Sequence, residues 1–171
     1  MEFLKNGLWI REIRQDDFAS IHEISSQIEV CRYQAWGPNS EDDTKEYIKS
    51  SIAEQDMSNR SCFNFVVESV SEKRVLGTCA IFLKENDVGE IGFSLGEKSW
   101  GQGFGTIIAK TLRDAAIELM NVKKVIATCD ILNKGSNALL QKVGFEKVKI
   151  VEKHMKIKGR DRDTVFYEYK K

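Results

Sequence analysis

Trp100-Gly101-Gln102-Gly103-Phe104-Gly105-Thr106 lies between a strand-like run, Glu90–Gly96, and a helical run from about Gly103 to Met120. In that helix Ile108, Leu112, Ala115, Ala116 and Leu119 recur at helical spacing and fall on one face. Lys124–Ile131, rich in β-branched residues, reads as the next strand. A strand, a glycine-rich turn, a helix and another strand make a crossover unit, and its two strands pair in parallel.

Outward from this unit the pattern changes. Phe63–Val70 and Val75–Leu83 are strand-like and joined by Ser-Glu-Lys-Arg, which predicts an antiparallel hairpin. Leu8–Arg14 alternates loosely and predicts a first strand. Asp16 and Asp17 then suit a helix N-terminus, with Phe18, Ile21 and Ile24–Ile28 at helical spacing. Trp36-Gly-Pro-Asn39 breaks the chain. Ser40 with Asp43 three residues on predicts a capping box and a helix through about Asp56. After the crossover unit, Ser136–Val143 reads as a short helix ended by Gly144. Strands at about Glu146–His154 and Thr164–Tyr169 close the chain, with Lys158-Gly-Arg-Asp161 as their turn. The predicted order is β-α-α-β-β-β-α-β-α-β-β. It implies an α/β (α+β) fold, a mixed and mostly antiparallel sheet with one central parallel pair and helices on both faces.

The chain has 171 residues, one proline and no Gly/Ser linker or repeat, so one domain over residues 1–171 is expected. Formal charge sums to zero, but unevenly: residues 1–60 carry −5, 61–120 carry −2 and 121–171 carry +7. A nucleic-acid partner is not expected, since the surface is not basic overall. A local anion site toward the C-terminal third fits. The cysteines, Cys31, Cys62, Cys79 and Cys129, form no C-x-x-C pair, and His22 and His154 lie far apart, so no metal is expected. They read as small hydrophobes in a reducing compartment. No apolar run has the length to span a bilayer and none follows Met1–Lys5 as a signal peptide, so a cytoplasmic protein without a membrane partner is expected.

Three alternating glycines at a helix start let backbone N–H groups approach a phosphate, helped by the positive helix end. Gly105 is followed by Thr106 and Ile107 rather than Lys-Ser/Thr, which argues against a nucleotide-triphosphate loop. A dinucleotide fingerprint fails at Thr106, although Asp130 ends the next strand where a ribose-binding acid would lie.

The loop resembles the phosphate loop of the GNAT superfamily of acetyl-CoA-dependent N-acetyltransferases, Arg/Gln-x-x-Gly-x-Gly/Ala, with Trp100-x-x-Gly103-x-Gly105. Trp100–Thr106 is similar to the branch of ribosomal-protein N-terminal (RimJ/RimL-like) acetyltransferases. So are Asn133-x-x-Ser136-x-x-Leu139-x-x-x-Val143-Gly144-Phe145, the opening Ile10–Arg14 with Asp16-Asp17, and the closing Lys158–Asp163 with Val165 and Tyr167.

The resemblance implies that acetyl-CoA is the co-substrate. Its pyrophosphate would lie over Trp100, Gly101, Gln102, Gly103, Phe104, Gly105 and Thr106. Its pantetheine arm would lie along Phe93–Leu95 and Asn133. The N–H near Leu95 would polarise the thioester. Glu90 and Glu97 are the candidate bases for the amine. The family's tyrosine position is Leu140 here, which leaves Ser136 to protonate the leaving thiol, and Ser136 also falls within reach of the cofactor. Asn133 also suits an N-cap.

The acceptor groove of the family is walled by the first two helices, and Asp16–Asp56 holds most of the acidic excess. A cationic amine is therefore the expected acceptor, with Arg32, Tyr33 and Trp36 as candidate contacts. Three functions follow: acetylation of a protein or peptide N-terminus, acetylation of a small amine such as a polyamine or an antibiotic, or acetyl-CoA binding without catalysis. A homodimer is left open. Lys123, Lys124, Lys134 and Lys142 are the cations expected to flank the CoA 3′-phosphate.

Overall fold

The computed structural model describes residues 1–170. Eight strands form one sheet: β1 (Glu2–Lys5), β2 (Leu8–Glu12), β3 (Cys62–Ser69), β4 (Arg74–Lys84), β5 (Val88–Leu95), β6 (Lys124–Asp130), β7 (Glu146–Ile157) and β8 (Arg160–Lys170). Four α-helices accompany them: α1 (Phe18–Ser25), α2 (Glu41–Gln55), α3 (Phe104–Leu119) and α4 (Lys134–Lys142). The sheet order is β1-β2-β3-β4-β5-β6-β8-β7. All neighbours are antiparallel except β5 and β6. The mixed sheet with one central parallel pair is the architecture expected from the sequence.

Alternation along the central strands sends side chains to two separate cores. Phe65, Val67, Leu76, Ile81 and Ile91 pack with Ile108, Leu112, Ala115 and Ala116 of α3. On the opposite face Val66 packs with Ile13, Ile21 and Ile48 beneath α1 and α2. Leu119, expected on the buried stripe of α3, sits in its last turn and is 62% exposed. Helix α1 also stops earlier than its periodicity suggests, and Ile28 beyond it is exposed.

Asp17 does not cap α1. Its carboxylate takes two bonds from the Arg11 guanidinium, at 2.8 and 2.7 Å, and one from the Arg14 N–H at 2.8 Å. Arg11 also reaches Glu68 of β3 at 3.2 Å, so the pair ties the start of α1 to the sheet. The expected capping box of α2 is present: the Asp43 N–H donates to Ser40 Oγ at 3.2 Å, and the Ser40 N–H donates back to Asp43 Oδ2 at 2.9 Å.

Three strands differ from expectation. β1 adds a hairpin before β2, turning through Asn6 and Gly7, both at positive φ. β7 and β8 run longer than expected, to Ile157 and from Arg160. β7 is an edge strand and almost wholly exposed, so its lysine-rich sequence carries no alternation.

The feature that shapes the site is where β5 and β6 part. β5 stays paired with β4 from Lys84↔Val88 to Gly77↔Leu95. It meets β6 only at Val88↔Lys124, Gly89↔Val125 and Glu90↔Ile126. Beyond Glu90 the parallel strands diverge, and β6 continues with β8 alone as far as Asp130↔Thr164.

Candidate functional site

At the head of α3, Gly101 and Gly103 have φ of +73° and +84°. A Cβ on either would meet open space, so backbone conformation rather than crowding selects glycine there. Gly105 differs: its Cβ would lie 2.7 Å from Leu139 Cδ1, so its absence lets α4 close on α3. The first N–H groups with acceptors in the helix are those of Thr106 and Ile107, both bonded to Gly103 O. Among the described residues, the N–H groups of Gly101, Gln102, Gly103, Phe104 and Gly105 have no protein acceptor. Five adjacent donors at the positive end of a sixteen-residue helix form a cradle for an anion. Thr106 N–H, expected in that cradle, is turned into the helix.

The loop is tied to the splayed strand. Trp100 Nε1–H donates to Leu95 O at 2.8 Å. Gly96 N–H bonds Leu76 O of β4 at 2.8 Å, so strand alternation turns the N–H groups of Leu95 and Phe93 the other way, toward the gap left by β6. Phe93 and Leu95 send their side chains beneath Gly105.

A cavity of about 1130 Å³ runs from this gap to the face covered by α1 and α2. Glu90, Phe93, Asn133 and Ser136 all line it, as does Leu140. Asn133 is the N-cap of α4, its Oδ1 accepting the Ser136 N–H at 3.1 Å. Glu90 is half-buried, with Lys84 Nζ at 3.3 Å. Glu97 is exposed in the turn before the glycine loop and does not line the cavity. Of the expected acceptor contacts, Tyr33 and Trp36 line the cavity, whereas Arg32 is exposed and paired with Glu29 at 3.3 Å.

Two of the four lysines expected near the cofactor are elsewhere. Lys123 pairs with Asp87 at 2.8 Å and Lys124 with Glu168 at 3.1 Å, at the start of β6. Seven residues of strand separate the Lys124 level from the Leu95 end of β5, about 23 Å. Asp130 is likewise unavailable to a ribose: its side chain is fully buried against Arg162, at 2.8 Å.

The structure adds residues with no sequence motif. Glu46 and Tyr47 of α2, Asn64 of β3, Thr78 of β4 and His154 of β7 all line the cavity. His154 reaches it because the β7–β8 register breaks between Val151 and Met155, and its Nδ1 lies 3.1 Å from Thr164 Oγ1. The one signal for Asn64 was a polar residue inside the apolar run Phe63–Val67.

Among the described lining residues the only fixed charges are the carboxylates of Asp43, Glu46, Glu90 and Asp130. The cysteines are all free thiols. Burial pushes the thiol of Cys129, which lines the cavity, up to about 12, with Asp130 adding to the shift. Burial also raises Cys62, to about 11, and Cys31 and Cys79. Burial raises the Tyr47 hydroxyl above the usual phenol value. Among the described residues, no helix is long and apolar enough to cross a membrane.

The family model for the Acetyltransferase (GNAT) domain matches residues 7–146. An uncharacterized N-acetyltransferase p20 of Bacillus licheniformis is 27% identical over 165 residues, covering 94% of this chain and 90% of that protein. The solved ribosomal-protein-S5-alanine acetyltransferase of Vibrio fischeri superposes with a TM-score of 0.86 at 18% identity, over 99% of this chain and 96% of that one. The spermidine N-acetyltransferase of Vibrio cholerae, solved with CoA and spermine, superposes with a TM-score of 0.84 at 19% identity, over 97% of this chain and 96% of that one.

Proposed function

We propose, from the premise that this chain belongs to the GNAT acetyltransferase family, that it moves an acetyl group from acetyl-CoA to a cationic primary amine, first of all a protein or peptide N-terminus. The observation that carries this is one continuous cavity. At one end it has the β5–β6 gap, lined by Phe93, Asn133 and Ser136; the free N–H groups of the glycine loop lie outside its lining, at the head of α3. At the other it has a chamber under α2 whose fixed charges are carboxylates.

The residues fit acetyl-CoA. The N–H groups of Gly101–Gly105 suit its pyrophosphate, with Trp100 packing the loop against β5. The open edge at Phe93–Leu95 suits an extended arm carrying amides, with Asn133 Nδ2 as a further donor to it. Acetyl-CoA supplies a thioester whose C–S bond breaks as the C–N bond forms. The Leu95 N–H donates to the carbonyl oxygen as negative charge develops there. Glu90, rather than the exposed Glu97, receives the amine proton, directly or through water. The Ser136 hydroxyl lines the cavity and donates toward the departing sulfur, in the place that Leu140 leaves without a phenol. Thiolate formation is disfavoured at Cys129, which supports direct transfer within a ternary complex rather than through an acyl-cysteine.

A small polyamine is the second reading. The spread of Asp43, Glu46 and Glu90 along the chamber favours it, since separated carboxylates suit a molecule with separated charges. Calorimetric titration with acetyl-CoA, followed by thiol release across peptides, polyamines and neutral amines, tests the proposal. Binding with turnover on cationic amines is expected. Binding without turnover on any amine would leave a non-catalytic module, and absence of binding would end the reading.

A further inference from the structure

Beneath α2, one row of the sheet is built unlike the rows beside it. Cross-strand register places Asn64 of β3 opposite Ala80 of β4, and Ala80 opposite Gly92 of β5. Alternation sends all three to the α2 face. A Cβ at Gly92 would meet nothing within 4 Å, so the space above it is open. Ala80 adds one methyl group. The row is therefore a slot, starting where β5 borders the gap and ending at Asn64. Phe82 and Thr78, two residues either side of Ala80, are its walls. Tyr47 of α2 lines the same cavity above it.

Asn64 is 9% exposed in the middle of a central strand, where its neighbour Val66 belongs to an apolar core. Its Nδ2–H donates to Cys62 Sγ at 3.2 Å. Among the described residues its Oδ1 has no donor, although Asn64 lines the cavity. Asn64 Oδ1 is not among the sealed, unpaired side-chain atoms of the described residues, so it opens to the cavity and is available to accept from a ligand.

We propose that Asn64 is a specificity residue for the acceptor: its Oδ1 accepts a hydrogen bond from an N–H or O–H group that the acceptor carries away from its reacting amine. This rests on the acceptor lying on the α2 face, as in the proposed function. Two strand spacings separate Gly92 from Asn64, about 10 Å, and a hydrogen bond takes up about 3 Å. For an acceptor whose reacting nitrogen stands over Gly92 at the mouth of the slot, the second donor lies roughly 7 Å from it. An extended glutamine side chain on an N-terminal residue has that reach, and so does a four-carbon amine with a polar end.

The test compares donors with apolar isosteres. Peptides beginning with Gln or Met form one arm; 4-amino-1-butanol, 1,4-diaminobutane and n-pentylamine form the other. For the wild type, kcat/KM favours the donor-bearing acceptor by about tenfold in the arm that supplies the natural acceptor class. Asn64→Leu brings that ratio to about one and leaves acetyl-CoA affinity unchanged. A merely structural Asn64 would lower both members of a pair equally. Should Asn64→Leu fail to fold, Asn64→Asp carries the test: it raises the preference for 1,4-diaminobutane over 4-amino-1-butanol by about fivefold, because the ammonium gains a carboxylate. An absent wild-type preference in both arms, a preference kept by Asn64→Leu, or an unchanged Asn64→Asp ratio overturns the inference. Thiol release that stays flat for every amine overturns the proposed function itself, and the inference with it.

Discussion

The donors at the head of α3 come from five consecutive residues and belong to the backbone. The polar groups beneath α2 are side chains, drawn from α2, β3, β4, β5 and β7. At the first, side chains matter mainly by being absent, and the helix end supplies the charge. At the second, each position contributes its own chemistry, and the contributing elements are scattered along the chain. A backbone site suits a ligand that does not vary, such as a pyrophosphate. A side-chain site can be altered one residue at a time, which suits discrimination among acceptors.

The largest expected effect falls on the backbone site. Gly103→Glu forces a side chain onto φ of +84° and adds an anion at the cradle, so acetyl-CoA affinity falls at least 100-fold by calorimetry. Because the Cβ itself has open space, Gly103→Ala weakens binding far less, and equal losses would show that the positive-φ backbone rather than charge decides. Next comes the chemical step. Glu90→Gln lowers kcat about 100-fold with acetyl-CoA affinity unchanged, while Glu97→Gln stays within about twofold. The reverse order in steady-state kinetics would move the base out of the chamber. The third concerns packing between the regions. Gly105→Ala destabilises the fold by about 1–3 kcal/mol in urea titration, and Leu139→Ala in the same chain recovers part of it, since that is the atom the new methyl meets.

The smallest effect tests the chamber's rim. The Ser40 hydroxyl and backbone N–H hold the Asp43 carboxyl below the usual carboxylate value. A depressed folded-state value means its stabilisation is complete above the unfolded value, about 4, and is lost as pH falls through the folded one. Urea midpoints of the wild type and Asp43→Asn therefore differ slightly at pH 7 and converge near pH 2. A constant difference would detach the effect from ionisation.

The same contrast explains what the sequence disclosed. A site made of adjacent backbone groups leaves a contiguous word, Trp100–Thr106, and the crossover around it leaves two clear periodicities. Even there, the sequence does not separate Gly101 and Gly103, fixed by φ, from Gly105, fixed by Leu139. The chamber leaves no word. Asn64, Ala80 and Gly92 become a row only through the register of three strands. Arg32 and Tyr33 are adjacent in sequence, yet one faces solvent and the other the cavity. Lys123 and Lys124 follow the glycine loop in sequence but start the parallel strand at its far end. β1 was in fact signalled, since Asn6-Gly7 is a strong hairpin turn, but in its four residues the apolar Phe3 and Leu4 are adjacent and show no alternation. The lysine-rich end of β7 hid its length in the same way.

That edge strand has a further consequence. β7 leaves one row of main-chain groups unpaired at the rim of the sheet, a template onto which another extended segment could add. Lys147, Lys149, Lys153 and Lys156 outnumber Glu146 and Glu152 along it, so two such rims repel. The repulsion is ionic and reaches only about 10 Å at 0.1 M salt. The colloidal behaviour of the molecule is thereby tied to ionic strength: the lysines that blur the strand in the sequence also keep one copy from growing onto the next.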